Sequence, residues 1–256
     1  MFARRRMGGW TTQEGPMSRF SRLCALALVC AATPAFADEE SAWSVEGNVA
    51  AMSDYVWRGV SQTMEDPAAQ AELTLSHESG FYVGAFLSTV DFTGPDDEDD
   101  GMNTEVNLWA GYTHELSDTV SLDVFYIRYL YPGVNEGFEI DFNEVTASLG
   151  FGGNYTASVT YSDDAMKLGG SSLYYTLGGE WELESGFTVA AGVGYYDLED
   201  AIGESYTDYN VSIGKSFGPM DVSLWYTNTS GFNEILGENL GSAADGRVGA
   251  TLSVNF

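Results

Sequence analysis

The chain has 256 residues, of which 44% are hydrophobic and 14% aromatic, and its 10 basic against 38 acidic residues give a net charge of −28. This acidic excess argues against nucleic acid as a partner, because affinity for phosphate comes from basic side chains. It suits a surface that attracts cations.

Residues 1–37 are predicted to be a secretory leader. Its signal starts at Met17 with two arginines close behind, continues through an apolar segment at 23–32, and ends in an A-x-A cleavage site at Ala37. The apolar segment is too short to span a bilayer, although an N-terminal membrane anchor is the alternative. Both cysteines lie in this leader, so residues 38–256 have no thiol chemistry. They keep five basic and 37 acidic residues, a net charge of −32.

Beyond the leader no apolar run reaches 18 residues, so no transmembrane helix is predicted. Instead, stretches rich in Val, Tyr, Phe, Trp and Thr alternate apolar and polar residues, which is typical of β-strands with one apolar face. The twelve predicted strands are residues 43–52, 68–77, 81–90, 104–114, 120–129, 142–151, 155–162, 172–183, 187–196, 208–217, 221–228 and 246–256.

The connections between these strands alternate in length. Those after even-numbered strands have three to five residues and are mostly Gly, Pro, Ser and Asn, which favours hairpin turns. Those after odd-numbered strands have nine residues or more and are mostly acidic or glycine-rich. An even strand count with short turns at one end is typical of outer-membrane barrels. The connections of a Greek-key sandwich are not expected to alternate in length.

The last predicted strand ends on an aromatic residue, Phe256. Such an end resembles that of bacterial outer-membrane barrel proteins, in which it is the signal for the barrel assembly machinery and closes against the first strand. An ordinary edge strand of a soluble β-protein is the alternative. Together, the patterns predict an all-β fold, a transmembrane antiparallel up-and-down β-barrel of about 12 strands, with aromatic girdles at both membrane interfaces.

If the apolar row of each strand faces lipid, the polar row faces the interior. Carboxylates around a narrow wet lumen favour cations, and small residues such as Gly84, Gly111, Gly194 and Ser148 are expected to leave room. The alternative is a closed interior filled by side chains. The predicted lumen-lining residues are Glu46, Glu72, Glu105, Asp123, Glu144, Glu180, Glu182 and Arg247.

A dense acidic loop lies at residues 95–101. Asp96, Glu98 and Asp100 resemble the start of an EF-hand loop, but Asn107 occupies its twelfth position and no helices are indicated on either side. We expect a solvated loop, with loose association of Ca²⁺ or Mg²⁺ as the alternative. No other cofactor is expected.

Catalytic residues are not expected. Neither of the two histidines, His77 and His114, lies near a Ser in a G-x-S-x-G turn, and the spacing of His and Cys expected of a metal site is absent.

Two segments carry a family resemblance. Residues 53–63 (SDYVWRGVSQT) and 76–84 (SHESGFYVG), followed by TVDF at 89–92, resemble the proteobacterial Gcw_chp family, also called TorF. The resemblance implies an outer-membrane barrel and supplies no established catalytic or ligand residues. Within the first segment Arg58 is expected to form an ion pair at the rim of the barrel with an inward carboxylate such as Glu46 or Glu72.

The sequence therefore predicts an exported outer-membrane porin with a cation bias, in contact with membrane lipid and lipopolysaccharide and without nucleic acid. One alternative is a non-conducting surface barrel whose acidic loops bind divalent cations or partners. Another is a secreted soluble β-sandwich. The solute, the oligomeric state and the opening of the lumen are left open.

Overall fold

The structure is a computed structural model that describes residues 41–92, 100–137, 139–231 and 242–256. The predicted leader, Asp96 and Glu98 lie outside the described residues. The strands are β1 (Trp43–Met52), β2 (Val56–Trp57), β3 (Val60–Ser61), β4 (Ala68–His77), β5 (Phe81–Thr89), β6 (Thr104–Ser117), β7 (Val120–Leu130), β8 (Phe142–Phe151), β9 (Tyr155–Ser162), β10 (Ser172–Glu182), β11 (Phe187–Leu198), β12 (Glu204–Phe217), β13 (Met220–Ser230) and β14 (Arg247–Asn255).

Twelve of these strands form a closed antiparallel barrel in which each strand pairs with the next barrel strand along the chain, and β14 pairs with β1. The remaining two, β2 and β3, form a separate two-stranded ribbon. The predicted barrel and its strand count are confirmed, and the sandwich alternative is wrong. β6 and β12 are longer than predicted, and the short helix α1 (Glu199–Ile202) lies in one of the long connections.

The seam of the barrel joins β1 to β14. The backbone N–H of Gly47 donates to the carbonyl oxygen of Phe256 at 2.8 Å, and the N–H of Phe256 donates back at 3.0 Å. The ring of Phe256 lies directly over Gly47, so that any Cβ at this position would overlap it. Closure leaves no edge strand with unpaired backbone groups, which lipid could not satisfy.

The outer surface of the barrel is apolar. Alternate residues of each strand point outward and are exposed, as shown by Leu73, Leu108 and Val145, the second with 47% of its surface accessible. The outward row also carries exposed aromatic residues near the strand ends, among them Phe81, Tyr161 and Phe217. This arrangement is the reverse of a soluble protein and matches a barrel in lipid. No helix in the described ranges is long and apolar enough to cross a membrane.

The inward row differs between the two ends of the barrel. We call the end with the short turns the short-turn half and the other end the long-loop half. The short-turn half faces inward mostly with Ser, Thr, Gly and carboxylates, as the alternation predicted. The inward row of the long-loop half contains large buried aromatic and apolar side chains, which the sequence analysis did not identify: Phe86, Ile127, Tyr129, Phe142, Tyr174, Tyr196 and Tyr206.

Candidate functional site

The connection after β1 folds into the long-loop half of the barrel. We call residues 53–67 the inserted hairpin, because β2 and β3 pair within it through Val56–Ser61 and Trp57–Val60. Its two turn residues, Arg58 and Gly59, have φ values of 48° and 80°. Positive φ at both positions is typical of the type I′ turn, whose twist matches that of the strands it joins.

The tip of the inserted hairpin places Arg58 inside the barrel, where only 2% of its surface is exposed. Its Nη2 donates to both carboxylate oxygens of Glu144 on β8, at 2.8 and 3.0 Å. Its Cζ lies 4.2–4.3 Å from the ring centroids of Trp57, Tyr174 and Tyr196. We call Glu144 and these three rings the arginine box.

Neighbouring strands support the arginine box. The Tyr129 hydroxyl on β7 donates to Glu144 at 3.2 Å, and the Tyr206 hydroxyl on β12 donates to the backbone carbonyl of Arg58 at 3.0 Å. A Cβ at Gly59 would overlap the side chains of Thr229 and Asp208, so only glycine lets the tip approach the wall this closely. The tip is therefore held by strands on several sides.

This position of Arg58 differs from the predicted one. The sequence analysis placed the side chain at the rim, beside Glu46 or Glu72, whereas the structure places it within the barrel, against Glu144. The reason is the fold of the connection, which turns inward after β1 and carries Arg58 past the rim. Alternation within the barrel strands contains no information about the path of a loop.

A second ion pair holds the base of the inserted hairpin. Arg247 on β14 donates from Nη1 to Asp54 at 3.0 Å, and the same nitrogen lies 3.6 Å from Glu65. Asp54 also accepts hydrogen bonds from Ser61 at 2.6 Å and Thr63 at 3.1 Å. Burial raises the pKa of Asp54, while its hydrogen bond from Ser61 and the nearby Arg247 oppose that rise. Arg247 thus lies on the inward row and holds the hairpin through this ion pair.

Glu105 is the third polar centre of the long-loop half. It is buried and accepts hydrogen bonds from Asn107 at 2.6 Å and from the hydroxyls of Tyr55 and Tyr131 at 3.2 Å. Tyr55 belongs to the inserted hairpin, so this carboxylate also ties the hairpin to the wall. Glu105 and Glu144 therefore lie on the inward row, but both are buried and hydrogen-bonded to the side chains packed around them.

The other predicted carboxylates lie lower in the barrel. Glu46, Asp123, Glu180 and Glu182 are on the inward row of the short-turn half, and Glu72 is on the inward row near mid-height. Asp123 accepts the Tyr82 hydroxyl at 2.8 and 3.0 Å. Whereas Glu105 and Glu144 are buried, Glu46 and Glu182 are exposed and the other three carboxylates are half-buried.

The inward carboxylates that the sequence analysis missed include Asp208 and Asp221. Asp208 accepts the Tyr174 hydroxyl at 2.9 Å beside the arginine box, and Asp221 accepts an amide hydrogen bond from Asn255 at 2.6 Å in the short-turn half. Both were the first residues of predicted strands, and both lie on the same alternating row as the predicted lumen residues. Extending that row to the strand ends would have identified them.

The small inward residues do not all leave room. Trp109 lies over Gly84, Tyr82 lies over Gly111, and Tyr174 lies over Gly194, in contacts too close to admit a Cβ. These glycines were predicted to widen the lumen, and that prediction is wrong. They accommodate large side chains that reach across from neighbouring strands.

In the described part of the acidic loop, Asp100 forms hydrogen bonds with nearby backbone groups. The Asp100 carboxylate accepts the Met102 N–H at 2.7 Å, and its backbone carbonyl accepts the Asn135 N–H at 2.7 Å. Within the described ranges no group of three or more His, Cys, Asp or Glu side chains is arranged to hold a metal ion.

Comparison with known proteins supports the fold. A family model described as a bacterial protein of unknown function, Gcw_chp, matches residues 36–255. None of the curated proteins compared with the chain matches it.

Solved porin structures share the architecture at very low sequence identity. The KdgM porin has a TM-score of 0.52 and 6% identity, with 82% of this chain and 99% of that chain covered. The same porin in complex with disordered oligogalacturonate has a TM-score of 0.50 and 8% identity, covering 83% and 98%. The NanC porin has a TM-score of 0.50 and 12% identity, covering 83% and 99%. Identities this low establish a porin-like barrel fold and nothing finer.

Proposed function

We propose that this chain, which belongs to the Gcw_chp family, is an outer-membrane porin that passes small cations in preference to anions. The observation that carries the proposal is the distribution of charge inside the barrel. Both inward-facing arginines, Arg58 and Arg247, have a carboxylate within 3.0 Å. In the short-turn half the inward row carries carboxylates. Among the described residues, no basic side chain lies on that part of the row.

The remaining basic residues do not offset this charge. Arg128 lies on the outward row at the long-loop rim, Lys167 lies in a long connection, and Lys215 lies on the outward row near the short turns. A solute in the short-turn half therefore meets a negative wall. Charged walls around a narrow, low-dielectric passage concentrate ions of the opposite sign, so cations are favoured.

The inserted hairpin and the aromatic residues around it make the long-loop half narrow. Twelve strands already enclose much less space than the 16–18 strands of general porins. We therefore expect the passage to admit only small solutes and the conductance to be low.

The solute is expected to differ from that of the structural neighbour. The KdgM structure described above holds oligogalacturonate, an acidic sugar chain. Here the inward carboxylates would repel such a polyanion. Export through the predicted leader, assembly through the strand that ends at Phe256, and contact with lipopolysaccharide belong to the same proposal.

Planar-bilayer recording of the purified protein tests the proposal. With a KCl gradient across the bilayer, the reversal potential should show K⁺ passing several-fold more readily than Cl⁻. Heat-modifiable gel migration of the same sample confirms that the barrel is folded. A folded protein that prefers anions contradicts the cation bias.

A second candidate is a non-conducting barrel, which the packing of the inserted hairpin favours. Arg58, Tyr55 and Trp57 are all buried, and together they occupy the centre of the long-loop half. A folded protein without conductance in either polarity, which binds Ca²⁺ in calorimetry, would support this candidate over the porin.

A further inference from the structure

The arginine box combines residues of the barrel wall with residues of the inserted hairpin. Glu144, Tyr174 and Tyr196 belong to three barrel strands, β8, β10 and β11. Arg58 and Trp57 belong to the inserted hairpin. The barrel wall therefore supplies the carboxylate and two of the three aromatic faces, and the hairpin supplies the cation that they surround.

The residues of the arginine box favour a guanidinium group. Glu144 is only 1% exposed, so without a cation it would be a buried, uncompensated charge, which is strongly unfavourable. Aromatic faces about 4 Å from the guanidinium carbon stabilise a flat, weakly hydrated cation by cation–π interaction and stacking. A carboxylate beside aromatic rings therefore suits a guanidinium better than a strongly hydrated metal ion.

Arg58 is held in the box at a conformational cost. Arg58 has a φ of 48°, in the left-handed region that residues with a Cβ rarely adopt. The contacts in the box offset this cost while Arg58 is inside. A free guanidinium-bearing molecule would make the same contacts with Glu144, Tyr174 and Tyr196 without needing this backbone conformation.

We propose that the arginine box is a binding site for small guanidinium-bearing cations, and that Arg58 occupies it when no such solute is bound. The inference rests on the proposed function, because it names the class of cation that the passage would recognise. Arg58 acts as a tethered competitor, whose effective concentration is in the millimolar range for a short tether. A free solute must therefore bind the wild-type protein more weakly than a variant without the competitor.

Calorimetric titration with agmatine in detergent tests this site without requiring conductance. Arg58→Ala should bind agmatine at least tenfold more tightly than the wild type. Arg128→Ala is the matched control, because Arg128 is an arginine on the outward row with its own partners, Asn143 and Asp141. This control should bind as the wild type does. Sodium chloride at equal ionic strength should not replace agmatine in any of the three proteins.

A second variant assigns the binding to the box. Adding Glu144→Gln to Arg58→Ala removes the carboxylate and should abolish the gain in affinity. If Arg58→Ala binds agmatine no better than Arg128→Ala, or if the double variant keeps the gain, the proposal is wrong.

A folding readout covers the case in which Arg58→Ala does not fold. Agmatine added during refolding should then restore the heat-modifiable folded band, whereas sodium chloride should not. Failure of agmatine to restore it would overturn the proposal.

The failure of this site and the failure of the porin function are distinguishable. Agmatine binding without conductance would leave the site in place and refute the channel. Cation-selective conductance without agmatine binding would support the channel and refute the binding site.

Discussion

The two halves of the barrel interior are built by the same twelve strands but filled in different ways. In the long-loop half, charges such as Glu144 and Glu105 are buried and bonded to residues of the inserted hairpin. In the short-turn half, charges such as Glu46 and Glu180 lie on a row of small polar residues. The difference shows that an inward carboxylate can serve either packing or permeation, according to what the nearest loop brings to it.

The largest expected effect is the loss of the buried ion pair. Glu144→Ala leaves Arg58 buried without its carboxylate, and should lower the free energy of unfolding by about 4 kcal/mol. Urea titration of the protein folded in phospholipid vesicles measures it. The control Glu46→Ala, in the short-turn half, should change the same quantity by less than about 1 kcal/mol. Equal losses in the two variants would remove the distinction between the halves.

The next effect concerns the aromatic packing. Phe86 is buried on the inward row and forms a tilted ring contact with Tyr55 of the inserted hairpin, 6.2 Å between centroids. Phe86→Ala should lower the free energy of unfolding by about 3 kcal/mol, because it opens a cavity beside the hairpin. The control Thr74→Ala, on the neighbouring strand nearer the short turns, should cost less than about 1 kcal/mol. A loss below that of the control would show that the long-loop half is not a packed core.

A smaller effect is expected where an aromatic side chain lies over a glycine. Gly84→Ala would push a methyl group into Trp109, and should cost about 1–2 kcal/mol by overpacking. Gly150→Ala is the control, because its nearest neighbour is the flexible hydroxyl of Ser121, 2.5 Å from the ideal Cβ. The hydroxyl can rotate away, so this variant should be less affected in the same urea titration. Equal midpoints for the two variants would contradict the close packing of Trp109.

The smallest effect on stability should accompany a clear effect on selectivity. Glu46→Gln combined with Glu72→Gln removes two inward charges at little cost, within about 0.5 kcal/mol. The preference for K⁺ over Cl⁻ in a bilayer gradient should fall by about twofold or more, because fewer carboxylates line the passage. Glu199→Gln, on the exposed helix α1, should leave the preference unchanged. Selectivity that survives the double substitution would place its origin elsewhere.

Much of the barrel could be predicted because each strand carries its own signal. The bounds of β1, β4, β8 and β9 are those predicted, since alternation begins and ends sharply there. β12 starts at Glu204, four residues before its predicted start, because residues such as Tyr206 continue the pairing with β11 into the connection. Backbone pairing in a closed sheet extends a strand wherever its neighbour is long enough.

The candidate site was predictable only in part. Alternation placed Glu144 and Arg247 on the inward row, and Arg58 was expected to form an ion pair because it is one of only five basic residues after the leader. The partners could not be predicted, because Arg58 and Glu144 are 86 residues apart and meet only through the path of a loop. The β2–β3 ribbon was missed for a related reason: two residues per strand are too few to show a period.

The sequence by itself determined the topology: a period of two selects the face of each strand, and short turns alternating with long loops select antiparallel neighbours. It also determined which row of each strand is polar. Only the tertiary structure decided what fills the barrel. The inserted hairpin enters one half and not the other. There its Arg58 and Tyr55 bind the wall carboxylates Glu144 and Glu105, and its own Asp54 binds Arg247 of the wall. Long-range contacts of this kind depend on three-dimensional closure, which no local pattern of residues encodes.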